Sequence, residues 1–367
     1  MDISEKAVVL GKAGEWDLCS SVSTSLSQSD IIPGTIYNSF ADGGQTFPVF
    51  KTLMTNACSL DCKYCENSCR RKIFAYESKE LADIFMRFYS AGQVGGLFLS
   101  SGISPDADTA MERMIKTVQV IRTRGFKGYV HFKVLPGASK ELVKQAGEIS
   151  DRLSVNIEAP DSARLTELTS KDFGNDIIKR QEWIKDAKPP AGQTTQMVVG
   201  AGDETDLEIL ETADWEYGKM GLRRVYYSAF RPVKGTLLQS RERTPDQRVN
   251  RLYGVDFMMR RYGILLKEFS DVMKGGNLPS GDPKIHLALE RFDEPIDLTN
   301  ANYDDIIRIP GIGPATACRI LALQDDSLGL TRRRHLRSLG IALKRAEPFI
   351  KTSGHSQKRL SDYRKKT

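Results

Sequence analysis

Three cysteines within eight residues constrain this chain more than any other feature. Cys58, Cys62 and Cys65 lie in the run LMTNACSLDCKYC, with gaps of three and then two residues. Three thiolates can bind three irons of a four-iron, four-sulfur cube, which leaves the fourth iron with an open coordination position. An open position is typical of a metal site that binds a substrate or a cofactor, whereas structural sites are closed. The spacing therefore predicts a reactive iron–sulfur site with Cys58, Cys62 and Cys65 as its ligands.

Cys69 leaves an alternative open, because it extends the pattern to CxxxCxxCxxxC. Four thiolates could close a structural zinc site, although such sites more often use paired CxxC units. The flanking sequence favours the cluster. Residues 48–55 form an extended apolar run and residues 74–89 have a helical pattern. The cysteines are therefore predicted to occupy a loop between a strand and a helix.

The composition is typical of a globular protein from a reducing compartment. Hydrophobic residues make up 40% and charged residues 27% of the chain, which is ordinary for a folded domain. Three of the six cysteines are clustered, and this favours a metal over a disulfide framework. No signal peptide or membrane-spanning segment is evident. We therefore expect a cytoplasmic protein with no membrane partner.

Strand-like and helix-like segments alternate between residues 45 and 235. The strand-like runs after the cysteines are residues 96–101, 129–134, 152–157, 194–200 and 224–230. With the strand before the cysteines they make six βα units, which predicts an α/β fold with a parallel sheet curled into a partial, TIM-like (β/α)6 barrel. Active sites of such barrels lie at the carboxyl ends of the strands, and the cysteine loop directly follows the first of these ends.

A second motif, IIRIPGIGPATACRILALQ, occupies residues 306–324. Two short predicted helices flank Pro310–Gly313, where Gly311 and Gly313 permit a tight hairpin, and Pro314 suits a first helical turn. Backbone N–H groups at such a turn can bind phosphate. The segment resembles the helix-hairpin-helix motif, which binds DNA backbones without sequence preference, and residues 336–346 resemble a degenerate second copy. A hairpin that mediates only protein contacts is the alternative.

Basic charge is concentrated at the C-terminal end. Residues 331–367 hold twelve Lys or Arg and two Asp or Glu, whereas the other 330 residues hold 41 and 45. Such a surplus favours a polyanionic partner, because phosphate neutralisation dominates affinity for nucleic acids. The predicted nucleic-acid-binding residues are Gly311, Ile312, Gly313, Thr316, Arg319, Arg332, Arg333, Arg334, Lys344 and Arg345.

Seven segments together carry a family resemblance that spans the chain from about residue 45 to residue 350. They are LMTNACSLDCKYC, GGLFLSSGI, GYVHFKVLPGAS, DRLSVNIEAP, TTQMVVGAGDETD, RRVYYSAF and IRIPGIGPATACRI. The chain resembles the radical S-adenosylmethionine (SAM) proteins that are assigned to DNA modification or repair. Members carry a C-terminal helix-hairpin-helix and are often linked to uracil-DNA glycosylases. Cys69 departs from the family pattern.

The resemblance implies a [4Fe–4S] cluster whose open iron is chelated by SAM. It implies that Tyr64 packs near the adenine of SAM. Polar or glycine-rich segments at the predicted strand ends supply further candidates for SAM binding, and alternation along the fourth strand predicts that Asn156 and Glu158 point to one face. The candidates are Ser100, Ser101, Gly102, Ser154, Asn156, Glu158 and Gly200. Tyr226, Tyr227 and Lys133 are the candidate catalytic residues. An electron donor such as flavodoxin or ferredoxin and a DNA glycosylase are the expected protein partners.

The resulting hypothesis is an enzyme that cleaves SAM to a 5′-deoxyadenosyl radical and modifies or repairs nucleic acid, with DNA favoured over RNA. Two alternatives remain at this point. One is a radical SAM enzyme that acts on a peptide or metabolite, and the other is a non-catalytic nucleic-acid-binding protein that contains a metal.

Changes in composition predict five regions. An N-terminal extension covers residues 1–44, the barrel 45–240, a helical linker 241–294, a small all-α helix-hairpin-helix domain 295–352 and a disordered basic tail 353–367. Within the linker, residues 244–269 have the pattern of one long helix. The remaining thiols, Cys19, Cys69 and Cys318, are too scattered to predict a second cluster.

Overall fold

A computed structural model of the chain describes residues 3–14, 17, 35–40, 46–69, 72–324, 330–351 and 360. The chain folds into two compact units. The first comprises Met1–Glu204 and Thr212–Asp246, and the second comprises Thr205–Glu211 and Gln247–Thr367. Cys19, most of the predicted N-terminal extension and all of the predicted disordered tail except Leu360 lie outside the described residues.

A seven-stranded sheet, ordered as in the sequence, forms the centre of the first unit. Its strands are β1 (Ile36–Phe40), β2 (Thr46–Leu53), β3 (Gly96–Ser100), β4 (Tyr129–Lys133), β5 (Arg152–Ser154), β6 (Gln193–Val199) and β7 (Arg224–Ala229). β1 and β2 are antiparallel, and each later strand is parallel to its predecessor. The α/β partial barrel with six parallel strands is therefore confirmed. β1 is not predicted from the sequence, because its five residues lack a clear apolar alternation.

Helices follow the parallel strands, as a βα repeat requires. They are α2 (Ser78–Ser90), α3 (Ala107–Thr123), α4 (Lys140–Ile149), α5 (Ser162–Leu168), α6 (Lys179–Ala187) and α7 (Asp206–Trp215), after an N-terminal α1 (Ile3–Ala13). A 3-10 turn covers Glu66–Ser68, and π-helical turns cover Phe173–Ile178 and Glu216–Met220. Among the described residues, no helix has the length and apolarity to cross a membrane.

The helix α3 shows how local sequence specifies these elements. Asp106 caps its N-terminus, where the carboxylate accepts a hydrogen bond of 2.8 Å from the backbone N–H of Thr109. Such a cap stabilises a helix by about 1 kcal/mol. The apolar face predicted from helical spacing is buried, as expected: it consists of Met111, Met114, Ile115, Val118 and Ile121.

The second unit is helical. Its helices are α8 (Asp246–Tyr262), α9 (Leu266–Ser270), α10 (Pro283–Arg291), α11 (Tyr303–Arg308), α12 (Pro314–Leu321), α13 (Arg333–Ser338) and α14 (Leu343–Ala346), with a 3-10 turn at Glu347–Phe349. The prediction of one helix over residues 244–269 is wrong, because Gly263 adopts a φ of 70° and ends α8. A compact apolar core includes Ile306, Ile312, Ile320, Leu336 and Phe349.

Two tight turns in the second unit are tied to each other. Gly311 lies between α11 and α12 with a φ of 84°, and Gly340 lies between α13 and α14 with a φ of 92°. The backbone N–H of Ala342 donates to the carbonyl oxygen of Gly311 at 3.0 Å. A Cβ on Gly311 would lie 2.7 Å from the carbonyl oxygen of Ala342, whereas one on Gly313 would meet nothing closer than 3.5 Å. Glycine is therefore required at 311 but not at 313.

The ammonium of Lys284 is buried beneath the first turn. It donates a hydrogen bond to the carbonyl oxygen of Ile312 and lies 4.7 Å from the ring centroid of Tyr262. Only 4% of the residue is exposed. The pKa of Lys284 is lowered to about 7. Burial is the largest cause, repulsion from Arg345 lowers the pKa further, and the attraction of Asp282 opposes the shift.

This burial gives the chain a testable pH dependence. Above pH 7 the folded state releases the proton of Lys284 while the unfolded state keeps it up to its usual pKa of 10.5, so the free energy of unfolding rises with pH across this window. We expect that wild type gains about 2 kcal/mol relative to Lys284→Met between pH 7 and pH 9. Denaturant unfolding at both pH values measures the difference. The exposed control Lys267→Met should show none, and a wild-type curve parallel to that of Lys284→Met would contradict the assignment.

Candidate active site

The carboxyl ends of the six parallel strands open onto one cavity, which lies within the first unit. Each strand contributes at least one residue at or just beyond its end: Leu53, Ser100, Lys133, Asn156, Val198 and Ala229. The site therefore draws on every parallel strand, as expected for catalytic sites of barrels.

The three clustered cysteines line this cavity together. Cys58, Cys62 and Cys65 are all free thiols on its wall. Cys62 is buried, and its sulfur lies 3.4 Å from the hydroxyl oxygen of Thr169. Burial, followed by the neighbouring Cys62, raises the pKa of Cys65 to about 12. A positive charge is then needed to hold the Cys65 sulfur as a thiolate, and an iron–sulfur cluster fits a set of three such soft donors.

The cysteine loop is fixed by the segment after α5. The carboxylate of Asp61 accepts hydrogen bonds from the backbone N–H of Ser170 at 2.8 Å and from the hydroxyl of Thr169 at 3.1 Å. The bond from Ser170 is the main reason that the pKa of Asp61 is lowered. The backbone N–H of Lys63 donates to Leu168 at 2.9 Å. The cysteine loop and the segment after α5 are therefore held together by both side-chain and backbone hydrogen bonds.

Gly102 brings the end of β3 against the cysteine loop. Its backbone N–H donates to the carbonyl oxygen of Thr55 at 2.7 Å, and Ser59 donates to Ile103 at 2.7 Å. A Cβ at position 102 would lie 2.1 Å from the carbonyl oxygen of Ala57. Only glycine permits this approach, so the residue pattern Ser100–Gly102 positions the loop that carries the thiols.

A buried ion pair lies beside Tyr64. The ammonium of Lys171 is 3.1 Å from the carboxylate of Glu158, and the two side chains are 5% and 9% exposed. Tyr64 also forms a side-chain hydrogen bond to Glu158, and burial, reinforced by this carboxylate, raises its pKa well above the usual value. Burial alone would lower the pKa of Lys171, but the charges of Cys62 and Glu158 raise it. Lys171 therefore stays positively charged next to the cysteines.

Comparison with known protein families agrees with this geometry. Residues 52–215, which include β2 and the cysteine loop, match the radical SAM superfamily. These residues form a radical SAM domain. Members of this superfamily use a [4Fe–4S] cluster and SAM. No curated protein matches the chain.

Solved structures resemble the fold of the radical SAM domain at low sequence identity. The FeFe-hydrogenase maturase HydG from Carboxydothermus hydrogenoformans is 13% identical, with a TM-score of 0.47, over 58% of this chain and 50% of that chain. SuiB from Streptococcus suis, bound to SAM, is 15% identical with a TM-score of 0.48, over 57% and 48%. Methylornithine synthase (PylB) is 15% identical with a TM-score of 0.45, over 53% and 57%. The chain thus spans about half the length of these proteins.

Most sequence-predicted residues of the radical SAM domain meet at the cavity. Besides the cysteines, those on its wall are Tyr64, Ser100, Ser101, Gly102, Lys133, Asn156 and Glu158. The strand β5 ends at Ser154, so simple alternation is not what aligns Asn156 and Glu158. Glu158 adopts a left-handed φ of 65° and hydrogen-bonds to β6 through both its N–H and its carbonyl, at 2.9 and 2.8 Å.

Four predicted residues lie away from the cavity wall. The hydroxyl of Ser154 is 2.8 Å from Nε2 of His131 inside the barrel. Gly200, with a φ of 86°, has no room for a Cβ because the hydroxyl of Thr244 would be 1.9 Å away. Tyr226 and Tyr227 are buried, with exposed fractions of 5% and 1%. The predicted roles of these four residues in SAM binding and catalysis therefore stay predictions.

Sequence patterns miss several residues of the cavity. Lys171 follows α5 in a loop without a motif, and Asp17 comes from the N-terminal segment, far from the strand ends along the chain. Gln196 and Arg231 also line the wall. Of these, Arg231, which lies two residues after the end of β7, carries a sequence signal, because polar residues just beyond a barrel strand are candidates for the site.

Cys69, the fourth thiol of the extended pattern, is not on the cavity wall of the radical SAM domain. Its sulfur contacts the carbonyl oxygens of Glu66 at 3.3 Å and Lys234 at 3.8 Å. Within the described part of the chain, no three His, Cys, Asp or Glu side chains are placed to bind one metal ion. A four-iron cube differs from such a site, because each thiolate binds its own iron.

Proposed function

We propose that the chain is a radical SAM enzyme that modifies or repairs a nucleic acid, with DNA favoured over RNA. The observation that carries the proposal is the basic surface of the second unit, which accompanies a cavity lined by three thiols. Residues 330–351 contain seven Lys or Arg and one Glu. Arg319, Arg332, Arg334 and Lys344 are exposed there. Phosphate neutralisation by such side chains provides most of the affinity for nucleic acids.

In this proposal Cys58, Cys62 and Cys65 hold the cluster, and Tyr64, the Ser100–Gly102 segment and Glu158 bind SAM. When bound, the cluster supplies an electron for reductive cleavage of SAM. Tyr64 offers an aromatic face, the Ser100–Gly102 segment offers backbone and hydroxyl groups, and Glu158 offers a carboxylate fixed by Lys171. The protein supplies orientation and shields the reaction from water. An electron donor such as flavodoxin or ferredoxin would supply that electron.

The turns at Gly311 and Gly340 are the proposed phosphate contacts. Backbone N–H groups of a first helical turn have no partner within the helix and bind anions. α12 begins at Pro314, directly after the first turn, and Arg319 lies one turn further along. Like that of Arg319, the side chain of Arg345 is exposed near this turn, where its guanidinium pairs with the carboxylate of Asp282. Arg333 differs, since it is half-buried and 2.9 Å from Glu347.

The deciding experiment is an anaerobic assay of 5′-deoxyadenosine formation after reconstitution with iron and sulfide. The reduced enzyme is given SAM with duplex DNA, single-stranded DNA, RNA or no polymer. Stimulation by one polymer supports the proposal and identifies the substrate class. Formation that no nucleic acid changes would favour a peptide or metabolite substrate, and would overturn the proposal.

Removing surface charge from the second unit should weaken nucleic-acid binding. We expect that Arg332→Ala, Arg334→Ala and Lys344→Ala together lower affinity roughly tenfold or more and reduce the salt slope by about 0.9 for each lost phosphate contact. Fluorescence anisotropy across salt concentrations measures both. The control replaces three exposed lysines of α2, α3 and α4, Lys79, Lys116 and Lys144, by alanine. If that control lost as much affinity, binding would not be assigned to the second unit. Gly311 is a poor test position, because a side chain there would strain the turn.

A further inference from the structure

An acid from the N-terminal segment reaches the cavity and is held by residues of three strands. Asp17 lines the cavity, and its carboxylate is 3.4 Å from the ammonium of Lys133. The amide of Asn156 bridges the two: its nitrogen donates to Asp17 at 3.3 Å, and its oxygen accepts from Lys133. The buried ammonium of Lys51 donates to the backbone carbonyl of Asp17, and Ser100 forms a side-chain hydrogen bond with the Asp17 carboxylate.

Stability does not account for this arrangement. A buried ion pair loses about as much solvation free energy as it recovers in attraction, so it is weak evidence for a stabilising role. The side chains of Lys133 and Asp17 are 8% and 18% exposed, and that exposure is to the cavity. An ammonium has three donors and a carboxylate about four acceptor positions. Both groups therefore keep hydrogen-bonding capacity for a ligand.

The charge of the cavity argues against a phosphate as that ligand. Three acids, Asp17, Glu66 and Glu158, line it together with three bases, Lys133, Lys171 and Arg231. Glu158 and Lys171 neutralise each other at 3.1 Å, as do Asp17 and Lys133. A dianionic phosphate needs an excess of donors and positive charge, and this wall offers a donor beside an acceptor instead.

We infer that Asp17 and Lys133, held by Asn156, form a subsite that reads the hydrogen-bonding edge of a nucleobase. This inference rests on the proposed function and specifies which part of the nucleic acid enters the cavity. A base edge presents a carbonyl or ring nitrogen next to an N–H group, so Lys133 donates to the acceptor and Asp17 accepts from the donor. A base in a duplex must leave the stack to be read in this way.

Oligonucleotides with and without bases test the inference separately from the proposed function. The reduced enzyme is given SAM with a single-stranded oligonucleotide or with an abasic one of equal length, and formation of 5′-deoxyadenosine is measured. We expect stimulation by the first and at least tenfold less by the second. Equal stimulation by both would overturn the base subsite but keep the nucleic-acid function. No stimulation by either would overturn both.

A specificity measurement then tests the two residues. Homopolymeric oligonucleotides of the four bases are ranked by stimulated rate, and the ratios between them cancel any general loss of activity. Asp17→Asn replaces a pure acceptor by a group that also donates, so we expect at least one ratio to change tenfold or more. Lys133→Met should bring the four stimulated rates closer to one another. The exposed control Asp186→Asn lies outside the cavity and should keep it. Unchanged ratios in both variants would overturn the assignment to Asp17 and Lys133.

Discussion

Replacement of Cys62 by serine should abolish formation of 5′-deoxyadenosine, with a loss of at least about a thousandfold, because two thiolates cannot hold the cluster that three hold. Cys62 is the best test position of the three cysteines, since it is buried on the cavity wall, beside Thr169. The measurement combines iron and sulfide content per chain after anaerobic reconstitution with chromatography of the products. Iron content should fall together with the rate.

Two other thiols of the chain provide matched controls for this substitution. Cys69→Ser removes a thiol from the same region but not from the cavity wall, and Cys318→Ser removes an exposed thiol of α12. Both variants should keep their iron and their rate. A loss in Cys69→Ser equal to that in Cys62→Ser, with zinc in place of iron, would instead support the four-thiol site.

Gly102→Ala should damage the same site without removing any ligand. The added Cβ would lie 2.1 Å from the carbonyl oxygen of Ala57, which is backbone and cannot rotate away. The loop with Cys58 must then move relative to the end of β3. Overpacking of this kind costs roughly 1–3 kcal/mol or more. We expect a drop of at least about tenfold in the rate of SAM cleavage, since catalysis is sensitive to displacements near 1 Å.

The control for Gly102→Ala is Gly254→Ala, in α8. A Cβ at position 254 meets nothing within 4 Å, so this change should stabilise the helix by up to about 1 kcal/mol. The affinity for SAM, measured by calorimetry on the reconstituted protein, distinguishes the two variants. Wild-type affinity in Gly102→Ala would show that the cysteine loop tolerates the displacement.

The barrel could be predicted from sequence because its signals are local. Each parallel strand is a short apolar or β-branched run, and the amphipathic face of α3 is visible in its spacing. The cysteine loop has a fixed spacing of its own. Where only a short loop separates two helices, local patterns are less reliable, and for this reason the pattern does not show the break that begins at Gly263 between α8 and α9.

The cavity could be predicted only in part, because contacts across the fold leave no local pattern. Lys171 pairs with Glu158 across thirteen residues of chain and has no motif. Asp17 meets Asn156 across 139 residues. In contrast, Ser154 and the tyrosines Tyr226 and Tyr227 follow the expected polar or aromatic pattern but are turned into the packed interior.

The bond between the two turns of the second unit has a thermodynamic consequence. Because Ala342 donates to Gly311, the turns are locked at a fixed separation when the unit folds. An extended polyanion that touched both turns would bind bivalently, and it would lose its translational freedom once rather than twice. The conformational entropy that is lost on aligning the two contacts is then lost during folding and not during binding. Weak individual contacts could therefore combine into firm binding along a backbone, whichever bases that backbone carries.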